Sequence, residues 1–350
     1  MRETLTLVSE SVYKYANCSM REQRTTTVAR LTMLWILAAL LCAPPVAFGQ
    51  AFPNRPIRMV VPFAPGGSID TVSRLIAQRW VANLNQQIVV DNRGGAGGTI
   101  GTLLVAKAPA DGYTILYANA GPLSIGPNLY AKPGYDLFKD LAPVSLVNSA
   151  PFLIFAITAL PVNSARELIA YAKERPGQLN YASSGIGSGL HLMGELFKSV
   201  AGVNLVHVPF TGLGAATSEF ASGRVQLAVS TAPGLLALVR AGRMRGIVSS
   251  GTRRSPALPD VATCIEAGLA GFCSSSWHAI VAPAGTPKPV ILKLQQSLAA
   301  TLAIPELRDQ LMLREDAESI GSTPEELAKF LRSESAKWAQ VIKTVGVKAE

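Results

Sequence analysis

Two glycine-rich turns hold the residues of this 350-residue chain best placed to do chemistry. The first is Phe63-Ala-Pro-Gly-Gly-Ser-Ile-Asp70 and the second is Ser183-Ser-Gly-Ile-Gly-Ser-Gly189. Each leaves a short β-rich run and opens a segment with helical spacing. Glycine lets a backbone approach a ligand closely. The first N–H groups of a helix lack internal partners, and the helix dipole adds positive potential at the same end. Such a helix start is an anion site that needs neither Arg nor Lys. Two facing turns would grip a carboxylate between Phe63, Ala64, Pro65, Gly66 and Gly67 on one side and Ser183, Ser184, Gly185, Gly187 and Ser188 on the other. His191, on the first turn of the second helix, reaches the same gap. Asp70 keeps two readings: an acid stabilising the first helical turn, or an acceptor facing the cleft.

Other chemistries lack their residues. Gly185-Ile-Gly187-Ser-Gly-Leu190 begins like a dinucleotide fingerprint, but Leu190 replaces the last glycine, and about 20 residues on stands Pro209-Phe210 instead of an acid. The loop Gly94–Gly101 lacks the Gly-Lys-Ser/Thr ending of a phosphate loop. No HExxH occurs, and no G-x-S-x-G elbow has a matching His and acid order. His191, His207 and His278 sit in unrelated sequence contexts, and His207 reads as a satisfied core residue. No enzyme, cofactor or metal site is expected. Cys264 and Cys273 form one disulfide or stay two buried thiols.

Both turns need strands that end, and helices that start, at one place. Ile57–Val61, Ile88–Val90 and Tyr113–Tyr117 read as strands, with helices over 68–84 and 99–108 between them. The rhythm returns from Asn180, with strands at 180–182, 205–208, 227–229 and 244–249 and helices at 188–200, 214–221 and 235–241. Alternation of this kind implies parallel sheets covered on both faces. The tail from Lys288 is helical in three pieces. A first lobe is expected over 50–147 plus 276–350, with the strand Trp277–Ala282 returning to it, and a second over 148–275. That arrangement gives two chain crossings and a hinge.

The amino-terminal residues 1–49 read as a secretion signal. Arg21, Arg24 and Arg30 precede the apolar run Leu31–Leu41, and Ala47-Phe-Gly49 offers a small-x-small cleavage pattern, with cleavage expected near Gly49 or Ala51. The run is shorter than the roughly 20 apolar residues of a membrane span. A start at Met20 would give a signal of normal proportions. Leu41 before Cys42 argues against lipidation. The chain carries a net charge of +9, of which 27 basic against 20 acidic residues beyond Gly49 leave +7. No Lys/Arg block of nucleic-acid type accompanies it; a solubilising surface or a field that steers anions accounts for it.

The segment Pro53-Asn-Arg-Pro-Ile-Arg-Met-Val-Val-Pro-Phe-Ala-Pro-Gly-Gly-Ser-Ile-Asp70 resembles the mature start of the tripartite tricarboxylate transporter receptors, the Bug proteins. Val90-Asp-Asn-Arg-Gly-Gly-Ala-Gly-Gly-Thr-Ile-Gly101, Ala110-Asp-Gly-Tyr-Thr114, Tyr181-Ala-Ser-Ser-Gly185, His207-Val-Pro-Phe-Thr-Gly212, Leu258-Pro-Asp-Val261 and Ala282-Pro-Ala-Gly-Thr-Pro287 are similar to later signatures, in order. The resemblance implies an α/β, two-lobed periplasmic-binding-protein (Venus-flytrap) fold, each lobe a mainly parallel sheet flanked by helices, closing on a small carboxylate without cofactor or metal. It places the carboxylate on the loops matching Phe63–Asp70 and Ser183–Ser188, and adds Phe210 and Thr211 from the later loop. Thr211 stands where the usual loop carries Lys. Phe63, Phe210 and Trp277 would favour a flat or aromatic acid where they line the cleft. The implied partner is a two-component membrane permease, the implied location the periplasm, and a monomer is expected. A sensor subunit docking on a membrane kinase, or a periplasmic enzyme on the same scaffold, are the competing roles.

Overall fold

The computed structural model describes Met33 and residues 52–347, without Gly67, Thr211 and Gly212. The expected secretion signal therefore lies outside the described residues, Met33 apart. Among the described residues no helix is long and apolar enough to cross a membrane.

Strand β1 (Ile57–Val61) leads through the first glycine turn into helix α1 (Ser68–Leu84), followed by β2 (Ile88–Asn92), α2 (Thr99–Ala106) and β3 (Thr114–Asn119). After short helical turns, β4 (Leu141–Pro151) runs almost directly into β5 (Leu153–Ile157). Then come α3 (Ala165–Glu174), β6 (Asn180–Ser183), the second glycine turn, α4 (Gly189–Ala201), β7 (Val206–Pro209), β8 (Leu227–Ser230), α5 (Ala232–Arg240) and β9 (Met244–Ser249). Strand β10 (Ser275–Pro283), α6 (Lys288–Leu302), α7 (Pro305–Glu315), the short β11 (Glu318–Ser319) and α8 (Pro324–Val345) complete the chain.

These elements make two sheets, ordered β11-β4-β10-β3-β1-β2 and β7-β6-β8-β5-β9. Each contains a parallel triplet of order 2-1-3, built from β1, β2 and β3 in one and β6, β7 and β8 in the other. The strand beside each triplet comes from the opposite half of the chain. β5 follows β4 across to the smaller sheet, β10 follows β9 back to the larger one, and both pair antiparallel with their neighbours. The α/β architecture of two helix-flanked sheets is as expected, but each sheet is mixed rather than mainly parallel. The reason is topological. A strand arriving from the other sheet enters without a covering crossover helix, so it need not run parallel to the strands it joins.

The helices dock by apolar stripes. In α1, Ile69, Val72, Ile76, Trp80 and Leu84 are buried at three- and four-residue spacing against one face of the larger sheet, where Met59, Ile115 and Tyr117 meet them. Each such fully buried side chain contributes roughly 1.5–3 kcal/mol. Helix α8 covers the opposite face with Leu327, Leu331 and Trp338, and that core continues into the smaller sheet. Its start is fixed by a reciprocal cap, in which Thr323 Oγ1 accepts from the Glu326 N–H at 3.2 Å and Glu326 Oε2 accepts from the Thr323 N–H at 2.8 Å. Buried Glu334 accepts from Trp277 Nε1 at 2.8 Å and from Trp338 Nε1 at 3.1 Å, tying α8 to the start of β10.

Candidate functional site

Strand β1 in the larger sheet and β6 in the smaller one hold the same place in their sheet orders, each flanked by the other two strands of its triplet. The glycine turns that follow them are thus equivalent elements. Ligands of open α/β sheets collect at the carboxyl ends of such strands, where the strand order reverses. A cavity of about 570 Å³ lies there, lined from the larger sheet's side by Phe63, Ala64, Pro65 and Gly66, and from the smaller one's by Ser184, Leu190, Ser230 and Thr231. The start of α5, through Gly234, borders it as a further helix N-terminus. No Asp, Glu, Lys or Arg lines it among the described residues.

The first turn is braced by charge. Gly66, at φ 87°, donates its N–H to Asp70 Oδ2 at 2.9 Å. Asn92 Nδ2 donates to Asp70 Oδ1 at 2.9 Å and to the Phe63 carbonyl at 3.1 Å, while the Arg74 guanidinium pairs with Asp70 at 3.0 Å. Burial alone would raise the Asp70 carboxyl; the Arg74 contact and the Gly66 and Asn92 hydrogen bonds outweigh it and hold it below the usual carboxylate range. Asp70 is buried and does not line the cavity.

The second turn is braced by neutral groups. Ser188 caps α4 by accepting from the His191 N–H at 3.2 Å, and its hydroxyl donates to the Gly185 carbonyl at 2.7 Å. Gly187, at φ 74°, donates its N–H to His191 Nδ1 at 3.1 Å. Ser183 Oγ and His207 Nε2 are 2.7 Å apart, and the His207 ring stacks on His191 with centroids separated by 3.9 Å. The two histidines therefore form one unit, in contrast to the unrelated contexts the sequence suggests; a parallel β6–β7 pair places Tyr181 beside His207, and α4 lays His191 over them. Burial, the His191 neighbour and Lys198 push the His207 imidazole down to about 3. Burial also lowers His191, opposed by Glu195 and assisted by Lys198.

Of the residues expected at the site, Phe63, Ala64, Pro65, Gly66 and Ser184 line the cavity. Ser183, Gly185, Gly187, Ser188 and His191 shape the second turn from beneath, and neither they nor Phe210 lines it. Gly67 and Thr211 lie outside the described residues. Trp277 points to the opposite face of β10 and is buried against α8, so of the three aromatic candidates only Phe63 reaches the cleft. The described residues contain no three metal-ligating side chains that converge. A disulfide joins Cys264 and Cys273, whose Cα atoms are 5.5 Å apart.

Sequence reasoning missed two groups. Asn92 holds the first turn; the signal was its place one strand end away, in the Asp-Asn-Arg run before the glycine loop. Asn119, Asn148 and His278 form a polar row across the larger sheet, in paired registers on β3, β4 and β10. All three line the cavity. Their signal was weaker: single polar residues closing or interrupting apolar strands. A second cavity of about 500 Å³ lies on the other side of the crossing strands, where Ser149 and Ser275 line it as Asn148 and Ser276 line the first. Its arginines are already paired, Arg253 with Glu318 at 2.7 Å and Arg254 with Glu266 at 3.0 Å.

The second turn comes close to the larger sheet's half of the molecule. A Cβ built on Gly187 would lie 2.7 Å from Leu129 Cδ2, on the segment after β3. The smaller sheet's turn thus already touches the larger sheet's half of the molecule.

Residues 72–347 match the family model described as the tripartite tricarboxylate transporter family receptor. The periplasmic binding protein BugD is 37% identical in a solved structure, with a TM-score of 0.77 over 85% of this chain and 100% of that one. A Rhodopseudomonas palustris protein solved with adipate is 36% identical, with a TM-score of 0.79 over 85% and 99% of the two chains. MatC of Rhodopseudomonas palustris, solved with bound malate, is 33% identical, with a TM-score of 0.75 over 83% and 100%.

Proposed function

Because the chain belongs to the tripartite tricarboxylate transporter receptor family, we propose that it captures a small carboxylate between its two sheets, outside the cytoplasmic membrane, and delivers it to the family's two-component permease. The observation that carries this reading is the pair of equivalent glycine turns bordering one cavity that has no charged lining among the described residues. Helix-start N–H groups supply the positive potential a carboxylate needs. The adipate and malate bound by two related structures are acids of a size the cavity accommodates. The two lobes, 50–147 with 276–350 and 148–275, would move about the crossings near Phe152 and Ser275. A chain that is exported, cut near Gly49 or Ala51, and acts as a monomer fits this role.

The test is a thermal-shift panel of small carboxylates on the exported protein, together with mass spectrometry of small molecules released on denaturation. A true ligand at a hundredfold excess over Kd stabilises the fold by about 2.7 kcal/mol. A co-purified acid, or a shift with some acids and not others, is expected. Absence of any retained acid, with no shift across the panel, overturns the reading.

A further inference from the structure

The end of the cleft at the crossing strands carries an unused pair of hydrogen-bonding groups. Asn148 on β4 and His278 on β10 are register partners, and both line the cavity. Asn148 is 1% exposed, and its Nδ2 has no hydrogen-bond partner among the described residues. A buried amide N–H without a partner is costly unless something else occupies it. His278 Nδ1 lies 2.8 Å from Asn148 Oδ1. An amide oxygen only accepts, so the ring carries its proton at Nδ1 and leaves Nε2 as an acceptor. The pair thus holds one kind of unspent donor, the Asn148 amide, and one acceptor, the His278 ring, at the wall of the cleft. Asn119 continues the row on β3, but its Oδ1 is occupied by the Gly121 N–H at 3.1 Å.

We infer that Asn148 and His278 form the far subsite of the ligand cavity and select acids whose second polar group is a hydroxyl or primary amide over acids ending in a second carboxylate. The inference rests on the carboxylate-capture reading and adds the identity of the ligand's other end. A hydroxyl or amide both donates and accepts, and so satisfies Nδ2 and Nε2 together. A carboxylate only accepts. It would accept from the Asn148 amide but set its charge against the bare Nε2 lone pair, in a cavity without a cationic side chain among the described residues. Protonating His278 would relieve that conflict, but burial pushes its imidazole down to about 4, so the ring is neutral at neutral pH. The apolar walls between the two ends, Phe63, Ile69, Val72, Leu190 and Leu213, suit a hydrocarbon or aromatic body.

Isothermal titration of the ligand-free exported protein with two matched series tests this: hexanoate, 6-hydroxyhexanoate and adipate; benzoate, 4-hydroxybenzoate and terephthalate. In the series that binds, the hydroxy acid is expected to bind about five- to tenfold tighter than its unsubstituted parent, the size of a net hydrogen bond. It should also bind tighter than the dicarboxylate. Asn148→Leu should bring the hydroxy-to-parent ratio close to one. The near-isosteric Asn148→Asp, which guards against misfolding of the first variant, should turn the preference towards 6-aminohexanoate or 4-(aminomethyl)benzoate. Dicarboxylates binding as tightly as the hydroxy acids, a ratio unchanged in both variants, or a co-purified dicarboxylate would overturn the subsite while leaving carboxylate capture intact. A protein that neither retains nor binds any carboxylate fails at the earlier reading, and the subsite falls with it.

Discussion

The two glycine turns hold equivalent places in their sheets, yet their loops are fixed by different chemistry. At the first, an ionised carboxylate, Asp70, gathers the Gly66 N–H, the Asn92 amide and the Arg74 guanidinium. At the second, neutral imidazole and hydroxyl groups do the same work, with His191 Nδ1 taking the Gly187 N–H and Ser188 capping α4. On the proposed function, both arrangements hold the turn so that its remaining backbone groups are left for a carboxylate. The difference teaches that one strand–turn–helix geometry can be held by either chemistry, while the bracing sets how rigidly and over what pH range that geometry persists. A negative brace beside the proposed carboxylate site would repel the ligand if exposed; Asp70 avoids this by being buried and paired with Arg74.

The charged brace should therefore be the costlier one to remove. Asp70→Ala leaves the Gly66 N–H and the Asn92 amide without their acceptor, and a stability loss of about 2–3 kcal/mol is expected by urea unfolding, where an unsatisfied buried group costs about 1–3 kcal/mol. Arg74 is half-exposed and adds little to that loss. Asp70→Asn keeps one acceptor and should lose less than Asp70→Ala. Equal losses for the two variants would mean that the carboxylate's hydrogen bonds do not hold the turn.

The second turn depends on closeness as well as bracing. Gly187 has φ 74°, and its missing side chain lets Leu129 approach from across the cleft. Gly187→Ala should cost about 1–2 kcal/mol from the left-handed backbone alone. Because the added methyl also presses on the opposing half of the molecule, ligand affinity should fall further than that of a control, Gly202→Ala. Gly202 has a similar φ of 63° at the end of α4, with nothing near its Cβ. Matching losses of affinity in the two variants would remove the cross-cleft contact from the account.

How much of this was legible before folding follows from how local each feature is. The 68–84 helix was readable to its ends because Ile69, Val72, Ile76 and Trp80 repeat at helical spacing after a Pro/Gly turn. Both glycine turns were readable for the same reason, since each lies within a single strand-to-helix junction. Strands β4 and β5 were not: Leu141–Ile157 is mostly apolar but is interrupted by Ser145, Asn148, Ser149 and prolines at 143 and 151 without the regular alternation that marks a strand. Helix α3 was overlooked although Ser164 and Glu167 sit at capping spacing. The polar row was out of reach for a different reason. Asn148 and His278 are separated by 130 residues, and only the exchange of β10 back into the larger sheet makes them neighbours. The stacked histidines likewise needed the β6–β7 pairing to meet.

Acid offers the finest test of the comparison. The folded His191 imidazole lies below its ordinary 6.5, so from that pH downward the unfolded chain takes up a proton that the folded chain refuses. Stability therefore falls as pH falls, until the folded value is reached. His207, pushed down to about 3, and His278, pushed down to about 4, contribute in the same direction. Asp70 behaves otherwise: its folded value lies below 3.8, so its contribution is complete above 3.8 and is lost only as pH drops through the folded value. Between pH 6 and 5 the neutral brace should weaken while the charged one holds. His191→Gln keeps an acceptor that can meet the Gly187 N–H but cannot titrate. It should cost no more than about 1 kcal/mol at pH 7.5, the scale of one net hydrogen bond. It should also remove one histidine's share of the acid slope, at most about 1.4 kcal/mol per pH unit. Urea unfolding of both proteins across that interval measures the two slopes directly. Parallel slopes would place the acid sensitivity elsewhere, and a shallower slope in the variant would locate it in the imidazole that holds the second turn.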